Sequence, residues 1–333
     1  MTTKRQPYIG VTGFTAPTEV DEVLAAVPHG SPRLLMVGVL ASRRSLRGEP
    51  SKKYPGRYPP REQIAKIFPE DRRALNLVHY HAPGATGLAA ELEGLRAIGG
   101  PRLHGVQLNI AWPDPDALHA LDGLRIVLQL SRQAMDACAK NPAAIAGRVA
   151  DYGDRIHDVL IDPSGGTGGK DGAFDAGFAA NLATAIRNLR PDLGIGVAGG
   201  LHAKNLTAIH PLLPTVPDVS IDAEGGLRDG WDRLVLTATK AYVAAGFALF
   251  ADHPSSASLP KPPARAPEIA AHIGLVYGHW PGRGFFLIKN PADAGRGHMT
   301  GGRRMRSIGM GLPLGNGATG GTASPEGKNP IAR

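Results

Sequence analysis

The chain has 333 residues, of which 42% are hydrophobic and 5% aromatic, and its net charge is +8. This composition is typical of α/β proteins whose buried parallel strands are aliphatic, and the length allows one large domain or two ordinary ones. The single cysteine, Cys138, excludes an intramolecular disulfide and a cysteine-based zinc cluster. No apolar run approaches the roughly 20 residues of a membrane span and the first residues do not resemble a signal peptide, so we expect a cytoplasmic protein with no membrane partner.

A strand-like run followed by a helical pattern repeats eight times before residue 250. The predicted strands are Tyr8–Thr12, Leu34–Leu40, Leu75–His81, His104–Ile110, Arg125–Leu130, Asp158–Asp162, Gly194–Ala198 and Asp218–Asp222. The predicted helices are Pro17–Val27, Arg61–Ile67, Gly87–Ile98, Pro115–Leu121, Gln133–Tyr152, Ala176–Leu189, Ala203–His210 and Trp231–Ala245. Eight alternations favour a (β/α)8 TIM barrel over residues 1–250. The competing interpretation, a doubly wound sheet, fits less well because the glycine-rich turns come late in the chain.

The sequence changes character after residue 250. A Pro- and Ser-rich stretch, ADHPSSASLPKPPARAPE, leads to short apolar pieces at Ile269–Tyr277 and GFFLIKN, and the sequence after Asn290 is rich in Gly and Arg without periodicity. Residues 255–333 carry ten Lys and Arg against three Asp and Glu. We therefore predict that residues 251–333 form a flexible linker and a largely disordered basic extension.

A second basic segment lies within the barrel region. Residues 43–61 carry seven Lys and Arg against one Glu, and Tyr54 and Tyr58 lie among them. Basic and aromatic side chains together can bind single-stranded nucleic acid. Nucleic acid is therefore an alternative partner, through this loop or through the basic extension.

Glycine-rich turns follow the last three predicted strands. They read DPSGGTGG, AGGL and AEGG. Glycines at the C-terminal ends of parallel strands let backbone N–H groups approach an anion, and the loops after strands 7 and 8 are the usual phosphate site of a barrel. We therefore predict that a small phosphorylated, anionic substrate binds at six glycines, namely Gly165, Gly166, Gly199, Gly200, Gly225 and Gly226.

Two residues are candidates for proton transfer. Asp162 ends the sixth predicted strand, where a carboxylate can exchange protons with a ligand, although it could also cap a turn. His81 ends the third strand, and histidine titrates near neutral pH, but His79 and His81 could instead pack or face solvent. His79, His81 and His104 lack a clustered carboxylate, so no metal site is predicted.

Several of these motifs together resemble the phosphoribosylanthranilate isomerase family, over most of residues 7–230. GFTAPTEV resembles that family's first strand-to-helix turn, and SRR at 42–44 with REQIA at 61–65 resembles its sequence after strand 2. GVQL resembles its strand 4, LIDPSGGTGG with Phe174-Asp175 resembles its strand 6 and mobile loop, and AGGLHAKN resembles its phosphate turn. The chain beyond residue 250 has no counterpart in the family.

The resemblance implies a barrel enzyme without a cofactor that catalyses an Amadori rearrangement in tryptophan biosynthesis. In that reaction an aminoaldose phosphate opens its ring and becomes an aminoketose. The family's general acid, which protonates the ring oxygen, falls on Asp162. Its substrate-clamping arginine falls on Arg44, suited to bidentate contact with an anion, and its strand 8 aspartate falls on Asp222. We expect Arg44, Asp222 and Asn109 of strand 4 to bind the substrate.

Four positions depart from the family's pattern. Thr12 stands where the family has its cysteine general base, and Asn109 replaces a histidine of strand 4. Glu224 and Gly225 replace serines after strand 8, and a carboxylate beside a phosphate is unfavourable unless it points away. A threonine hydroxyl is a poor base unless a neighbour activates it.

The general base is therefore uncertain from the residues alone, and two explanations stay open. Another residue on the catalytic face supplies the base, with His81 the best candidate by its ordinary pKa. Alternatively, the chain does different chemistry on a phosphate-bearing substrate, or binds such a ligand as a non-catalytic or regulatory protein.

Overall fold

The protein is a closed barrel of eight parallel strands. The computed structural model describes residues 5–51, 54, 56–84, 86–164, 174–251, 276–280 and 284–288. The strands pair in chain order and the eighth returns to the first, which closes the sheet. They are β1 Tyr8–Thr12, β2 Leu34–Ser42, β3 Ala74–His81, β4 Gly105–Asn109, β5 Arg125–Ser131, β6 Asp158–Asp162, β7 Gly194–Val197 and β8 Ser220–Ala223. The predicted (β/α)8 TIM barrel is confirmed, and every predicted strand boundary lies within two residues of the observed one.

Helices of varied length connect the strands. The α-helices are α1 Pro17–Leu24, α2 Arg43–Leu46, α3 Ile64–Ile67, α4 Leu88–Gly99, α5 Arg132–Asp136, α6 Pro142–Ala150, α7 Ala176–Leu189 and α8 Leu236–Ala251. The 3-10 helices are Arg61–Gln63, Pro115–Leu121, Gly153–Arg155, Leu206–Leu212 and Gly225–Leu227. The position of each predicted helix is therefore occupied by helical structure, but its type or extent often differs.

The prediction of one helix over residues 133–152 is wrong. The chain forms α5 and α6 instead, separated by a turn in which Lys140 has a φ of +52°. Asn141 caps α6, because its side chain accepts hydrogen bonds from two N–H groups of the first turn, at 2.9 and 3.1 Å. Pro142 begins α6, where its missing N–H is not needed, and the residue before a proline avoids the helical region.

Two later helices also differ from the prediction. The helix expected at residues 203–210 is the 3-10 helix Leu206–Leu212, and Pro211 within it has no N–H to donate to an α-helical ladder. The helix expected at residues 231–245 is α8, which begins and ends later. Its start is delayed because the Asp229 side chain holds a turn, accepting hydrogen bonds from the N–H groups of Trp231 and Arg233 at 2.9 Å each.

Side chains alternate between the barrel interior and the layer under the helices. An inward-facing apolar cluster fills the barrel, with Tyr8, Met36, Leu77, Val127 and Leu160 all buried. The residues between them, such as those at 9, 11, 159 and 161, pack outward in the larger core with the helices. Polar side chains occupy the inward positions nearest the C-terminal ends of the strands, and they form the candidate site.

An ion-pair cluster closes the opposite, N-terminal end of the barrel. Asp158 at the start of β6 is buried and accepts from Arg125 Nε at 2.8 Å and Arg125 Nη2 at 2.9 Å. Arg5 Nε lies 3.0 Å from Asp158 Oδ1, so the segment before β1 is fixed across the barrel end. The guanidinium of Arg125 also lies 5.3 Å from the centre of the Tyr8 ring. These contacts are remote from the C-terminal strand ends.

The residues group into two units, Met1–Leu259 and Pro260–Arg333. In the second unit, β9 Val276–Trp280 and β10 Gly284–Ile288 form an antiparallel hairpin. The other residues of the predicted linker and extension, apart from residue 251, lie outside the described residues. Within the part of the chain that is described, no helix combines the length and apolarity needed to cross a bilayer.

Candidate active site

Two cavities that share wall residues lie at the C-terminal ends of the strands. The outer cleft, of about 480 Å³, is lined mainly by the segment after β2 and by the ends of β3 and β4. The inner cavity, of about 50 Å³, is lined by inward side chains of β4, β5, β6 and β8 and by the turns after β7 and β8. Four residues line both spaces: Arg57, His79, Asn109 and Glu224. The two cavities are therefore neighbours that share part of their walls.

Asp162, the predicted general acid, lies at the end of β6 in the inner cavity. Its Oδ2 accepts a hydrogen bond from Gln129 Nε2 at 2.7 Å. Its Oδ1 accepts from Ser164, from the backbone N–H at 3.0 Å and from Oγ at 2.6 Å. Burial raises the pKa of Asp162 above the ordinary aspartate value, although the bonds from Ser164 act in the opposite direction. The environment therefore favours a carboxyl group that keeps its proton to higher pH than usual.

Asp222 is a second buried carboxyl group in the same cavity. It projects inward from β8, and Thr12 Oγ1 donates to it, 3.0 Å from Oδ2 and 3.1 Å from Oδ1. Gln107 Nε2 also donates to Oδ2, at 3.3 Å. Burial raises the pKa of Asp222 to about 7, against the lowering effect of the bonds from Gln107 and Thr12. Thr12 is completely buried and acts in this arrangement as a hydrogen-bond donor.

Two glutamine side chains connect the carboxyl groups across the barrel. Gln107 Nε2 lies 3.4 Å from Gln129 Oε1, and Gln129 in turn donates to Asp162. Gln107 Nε2 also lies 3.0 Å from His79 Nδ1, which accepts. Burial lowers the pKa of His79 to about 4, so this imidazole is neutral near pH 7. Gln107 Oε1 is buried without a hydrogen-bond partner among the described residues, which leaves an acceptor available in the cavity wall.

The predicted phosphate turns adjoin these carboxyl groups. Gly199 and Gly200 have φ values of +119° and +73°, which a residue with a side chain adopts only with strain. Both line the inner cavity, as does Gly225. Gly226 packs beside the β7 turn, since a Cβ there would lie 2.6 Å from the carbonyl oxygen of Leu201. Gly165 and Gly166 lie outside the described residues.

Asn205 fixes the turn after β7. Its Oδ1 accepts a hydrogen bond from the His202 N–H at 2.8 Å, and its Nδ2 donates to the Gly200 carbonyl oxygen at 2.9 Å. These two hydrogen bonds fix the shape of the turn within the chain. A preformed turn loses little conformational freedom when it binds an anion.

An arginine in the segment after β2 pairs with Glu224, the carboxylate beside the predicted phosphate turns, and also with Asp232. Arg57 Nη1 pairs with Glu224 Oε1, and Arg57 Nε donates to Asp232 at 2.6 and 2.8 Å. Arg228 supports the same loop, donating to the carbonyl oxygens of Asp232 at 2.8 Å and Gly13 at 2.9 Å. The segment after β2 is thereby fastened to the loop after β8, over the inner cavity.

The other predicted site residues face the outer cleft. Arg44 pairs with Glu49 at 3.0 Å, and both side chains are about half exposed. His81 is exposed, and its Nδ1 lies 3.1 Å from the Asn109 carbonyl oxygen. Asn109 borders both cavities. The structure thus places Asp162 and Asp222 together in the inner cavity, with Thr12 beneath Asp222, and separates them from Arg44 and His81.

Several arginine side chains of the basic segment after β2 already form contacts within the chain. Arg43 Nε lies 2.6 Å from Glu91 Oε1, and the Arg57 guanidinium lies 4.1 Å from the centre of the Tyr54 ring. Burial raises the pKa of Tyr58 to about 12. Both tyrosines line the outer cleft. They are therefore placed to contact a planar group bound there.

Sequence reasoning missed three residues of the site, namely Gln107, Gln129 and Arg57. Gln107 and Gln129 were readable as polar residues at inward positions of otherwise apolar strands, GVQLN and RIVLQLS. No sequence pattern pointed to Arg57, because its partners Glu224 and Asp232 are 167 and 175 residues away in the chain. In the described ranges, no group of three or more His, Cys, Asp or Glu side chains is arranged to hold a metal ion.

Comparison with known proteins gives structural neighbours only. No family model matches the chain, and no curated protein matches it. N-(5'-phosphoribosyl)anthranilate isomerase from Pyrococcus furiosus is 16% identical with a TM-score of 0.44, covering 72% of this chain and 98% of that chain. A native KDPGal structure is 13% identical with a TM-score of 0.45, covering 76% and 97%.

A third neighbour is a Rubisco-like protein from Rhodopseudomonas palustris, 15% identical with a TM-score of 0.44, covering 76% of this chain and 66% of that chain. At these identities the likeness concerns the fold alone. Any function must therefore be argued from the side chains of the two cavities.

Proposed function

We propose that the protein is an isomerase of a phosphorylated aminosugar derivative, catalysing an Amadori-type aldose–ketose rearrangement with Asp162 as general acid. The observation that carries the proposal is the setting of Asp162, a buried carboxyl group with a raised pKa that borders the same small cavity as the glycine turn after β7. A Cβ at Gly199 would lie 3.6 Å from Asp162 Oδ1, so an anion at the turn would be close to the acid.

The setting of Asp162 suits the first chemical step. A general acid must hold a proton at working pH, and burial favours the protonated form. Asp162 would donate this proton to the ring oxygen as the C1–O bond breaks and the nitrogen lone pair forms a C=N bond. Gln129 holds the carboxyl group in one orientation by its bond to Oδ2. Asp162 is then a carboxylate until a later step returns a proton.

The charges around the glycine turns are compatible with a phosphate group. Glu224 is the carboxylate nearest in sequence to Gly225, and its pairing with Arg57 offsets its negative charge. The left-handed glycines Gly199 and Gly200 give the backbone close access to an anion. The turns after β7 and β8 are also where barrels commonly hold phosphate.

The outer cleft offers space for the group attached to the sugar nitrogen. Its volume of about 480 Å³ suits a small organic substituent. Arg44 and Arg47 line it, and the Arg44–Glu49 pair is half exposed and therefore contributes little stability that a ligand would have to overcome. An anionic planar substituent fits these arginines together with Tyr54 and Tyr58.

The test is turnover of N-(5'-phosphoribosyl)anthranilate by the purified full chain, together with complementation of a tryptophan auxotroph that lacks the isomerase. We expect Asp162→Asn to lower kcat by roughly 10²–10⁴-fold while the reduced aminoketose phosphate still binds. Asp114→Asn is the matched control, because Asp114 is exposed and caps a 3-10 helix, as an asparagine also can.

The alternatives predict different results. A folded wild-type protein that binds the reduced aminoketose phosphate without turning over any aminoaldose phosphate would support a non-catalytic binding protein. Failure to bind it, with inorganic phosphate still bound, would support different chemistry on another phosphate-bearing substrate. Either result would contradict the proposed isomerase.

A further inference from the structure

The proposed rearrangement needs a base that takes the proton from C2, and the positions of Thr12, His81 and His79 argue against each of them as that base. Thr12 is completely buried and already donates its hydroxyl hydrogen to Asp222. His81 lies in the outer cleft, beside the Asn109 carbonyl oxygen. His79 reaches the inner cavity, but its Nδ1 accepts from Gln107, and its pKa is lowered to about 4. A base that weak holds a proton poorly at neutral pH.

We propose that Asp222 is the general base of this site, held in position by Thr12 and Gln107. The inference rests on the proposed isomerase function and completes it, since Asp222 borders the inner cavity together with Asp162 and the glycine turns. The threonine that occupies the position of the family's cysteine then has a defined role: it is a positioning residue for a base on the neighbouring strand β8.

The barrel interior is shaped around this pair. A Cβ at Gly10 would lie 2.7 Å from Asp222 Oδ1, and a Cβ at Gly38 would lie 2.7 Å from Thr12 Oγ1. Both distances are shorter than side-chain carbon atoms tolerate, so the two inward positions must lack a side chain for the hydrogen bond to form. Gly10 lies opposite Asp222 in the β1–β8 register, and Gly38 lies opposite Thr12 in the β1–β2 register.

A buried acceptor in the cavity wall also points to a ligand. Gln107 is completely buried, borders the inner cavity, and has no partner for Oε1 among the described residues. A buried carbonyl oxygen without a donor is unfavourable unless a ligand or water supplies one. A sugar hydroxyl adjacent to C2 could donate to Oε1, which would bring the C2 proton toward the Asp222 carboxylate.

The steps balance for both carboxyl groups. After Asp162 has protonated the ring oxygen and the ring has opened, the Asp222 carboxylate takes the proton from C2. The electron pair of the broken C2–H bond forms the C1=C2 bond, and the π electron pair of the C=N bond returns to nitrogen. The Asp222 carboxyl then returns its proton to C1. The enol hydroxyl on C2 gives its proton to the Asp162 carboxylate and becomes the ketone. Both residues end in their starting protonation states, and no oxidant or reductant is needed.

Several titratable groups surround Asp222 and bear on its proton affinity. They are Asp162 and Glu224, which favour the protonated form of Asp222 when they are ionised, His79 beyond Gln107, and two buried tyrosines, Tyr8 of β1 and Tyr242 of α8. The repulsion between two carboxylates is mutual, so an ionised Asp222 equally favours a protonated Asp162, and the proposed reaction starts from this singly protonated form of the pair. Burial raises the pKa of both tyrosines well above 10, so they are uncharged at neutral pH. Burial likewise raises the pKa of Asp222, to about 7, where a group can both accept and return a proton.

The experiment compares Asp222→Asn and Thr12→Val with wild type, using N-(5'-phosphoribosyl)anthranilate as substrate. We expect Asp222→Asn to lower kcat by roughly 10²–10⁴-fold, with the affinity for the reduced aminoketose phosphate changed only a few fold. Thr12→Val removes a donor that lowers the Asp222 pKa, so the acid limb of its kcat/KM profile should move to higher pH. Thr12→Ser keeps a hydroxyl and should restore the wild-type limb.

The outcomes separate this inference from the proposed function. Two results would overturn the assignment of Asp222 as the base and leave the proposed isomerase function intact. The first is turnover that survives Asp222→Asn. The second is an acid limb of the pH profile that is unchanged in Thr12→Val but lost in His81→Ala. Absence of turnover in a folded wild-type protein would overturn both. Loss of binding in Asp222→Asn would make Asp222 a substrate-binding residue, which contradicts its role as base. Asp114→Asn again serves as the control.

Discussion

Replacing Asp222 with asparagine should change how the stability of the barrel depends on pH. Burial raises the pKa of Asp222 from 3.8 to about 7, so the folded protein binds this proton over an interval in which the unfolded chain releases it. A state that binds more protons is favoured at low pH. The wild-type free energy of unfolding therefore loses a contribution as the pH rises from about 4 to about 7. An asparagine does not titrate, so the variant lacks this loss.

The magnitude follows from the size of the shift. A rise of about 3 units corresponds to about 4 kcal/mol, because each unit is worth about 1.4 kcal/mol. The stability difference between variant and wild type should grow in favour of the variant by up to this amount between pH 4 and pH 8. His79, with a pKa lowered to about 4 by burial, acts in the opposite direction below about pH 6.5, but it is present in both proteins and cancels in the difference.

The assay is urea unfolding followed by far-UV circular dichroism at several pH values across that interval. The altered hydrogen bonds to Thr12 and Gln107 add an offset, which should not vary with pH. The quantity of interest is therefore the slope of the difference. Asp114→Asn controls for the loss of one negative charge. Parallel wild-type and variant curves from pH 4 to pH 8 would refute the reasoning, since they would mean that Asp222 titrates as an exposed aspartate does.

Three further predictions concern packing and ion pairs, each measured by urea unfolding. Gly13→Ala should lower the free energy of unfolding by about 3 kcal/mol or more, because φ is +106° and the new Cβ would lie 1.7 Å from Arg228 Nη2. The control is Gly30→Ala, at φ +74° with no atom within 4 Å, which should cost only about 1–2 kcal/mol. Equal losses in the two variants would contradict a steric clash between the Gly13 Cβ and Arg228. Arg57→Ala should cost roughly 1–3 kcal/mol and speed proteolysis within residues 47–58, and an unchanged cleavage rate would mean that Arg57 does not fasten this segment. Asp158→Ala should cost roughly 3–5 kcal/mol by leaving two arginines without their carboxylate, and a loss below about 1 kcal/mol would show the pair to be solvated.

The fold was predictable because its signals are local. Each barrel strand is a short aliphatic run, and several helices begin with a proline or a capping residue that sequence alone reveals. The split between α5 and α6 was also encoded locally, in Asn141-Pro142, but the apolar pattern over residues 133–152 concealed it. The type of the 3-10 helices depends on how a short connection packs between two strands, which periodicity does not report.

The candidate site was only partly predictable. Asp162 was found because strand ends of a barrel meet at one face, so its position in the strand was sufficient, whereas Asp222 was named only through the resemblance to a known family. The partner of Thr12 was not found, because the residues that share a hydrogen bond are 210 positions apart. The same holds for Arg57 and Glu224, whose pairing partly offsets the charge of the carboxylate beside the predicted phosphate turns. Contacts of this kind depend on the register between strands.

The hydrogen bond between Thr12 and Asp222 crosses the seam where the first strand meets the last. This seam closes the sheet into a ring, so the buried surroundings that raise the pKa of Asp222 depend on the pairing of β8 with β1. Local separation of β1 from β8 would admit water and return the pKa of Asp222 toward that of an ordinary aspartate. The acidity of Asp222 therefore reports ring closure, and a barrel opened at this seam would lose the raised pKa even if it kept most of its helices.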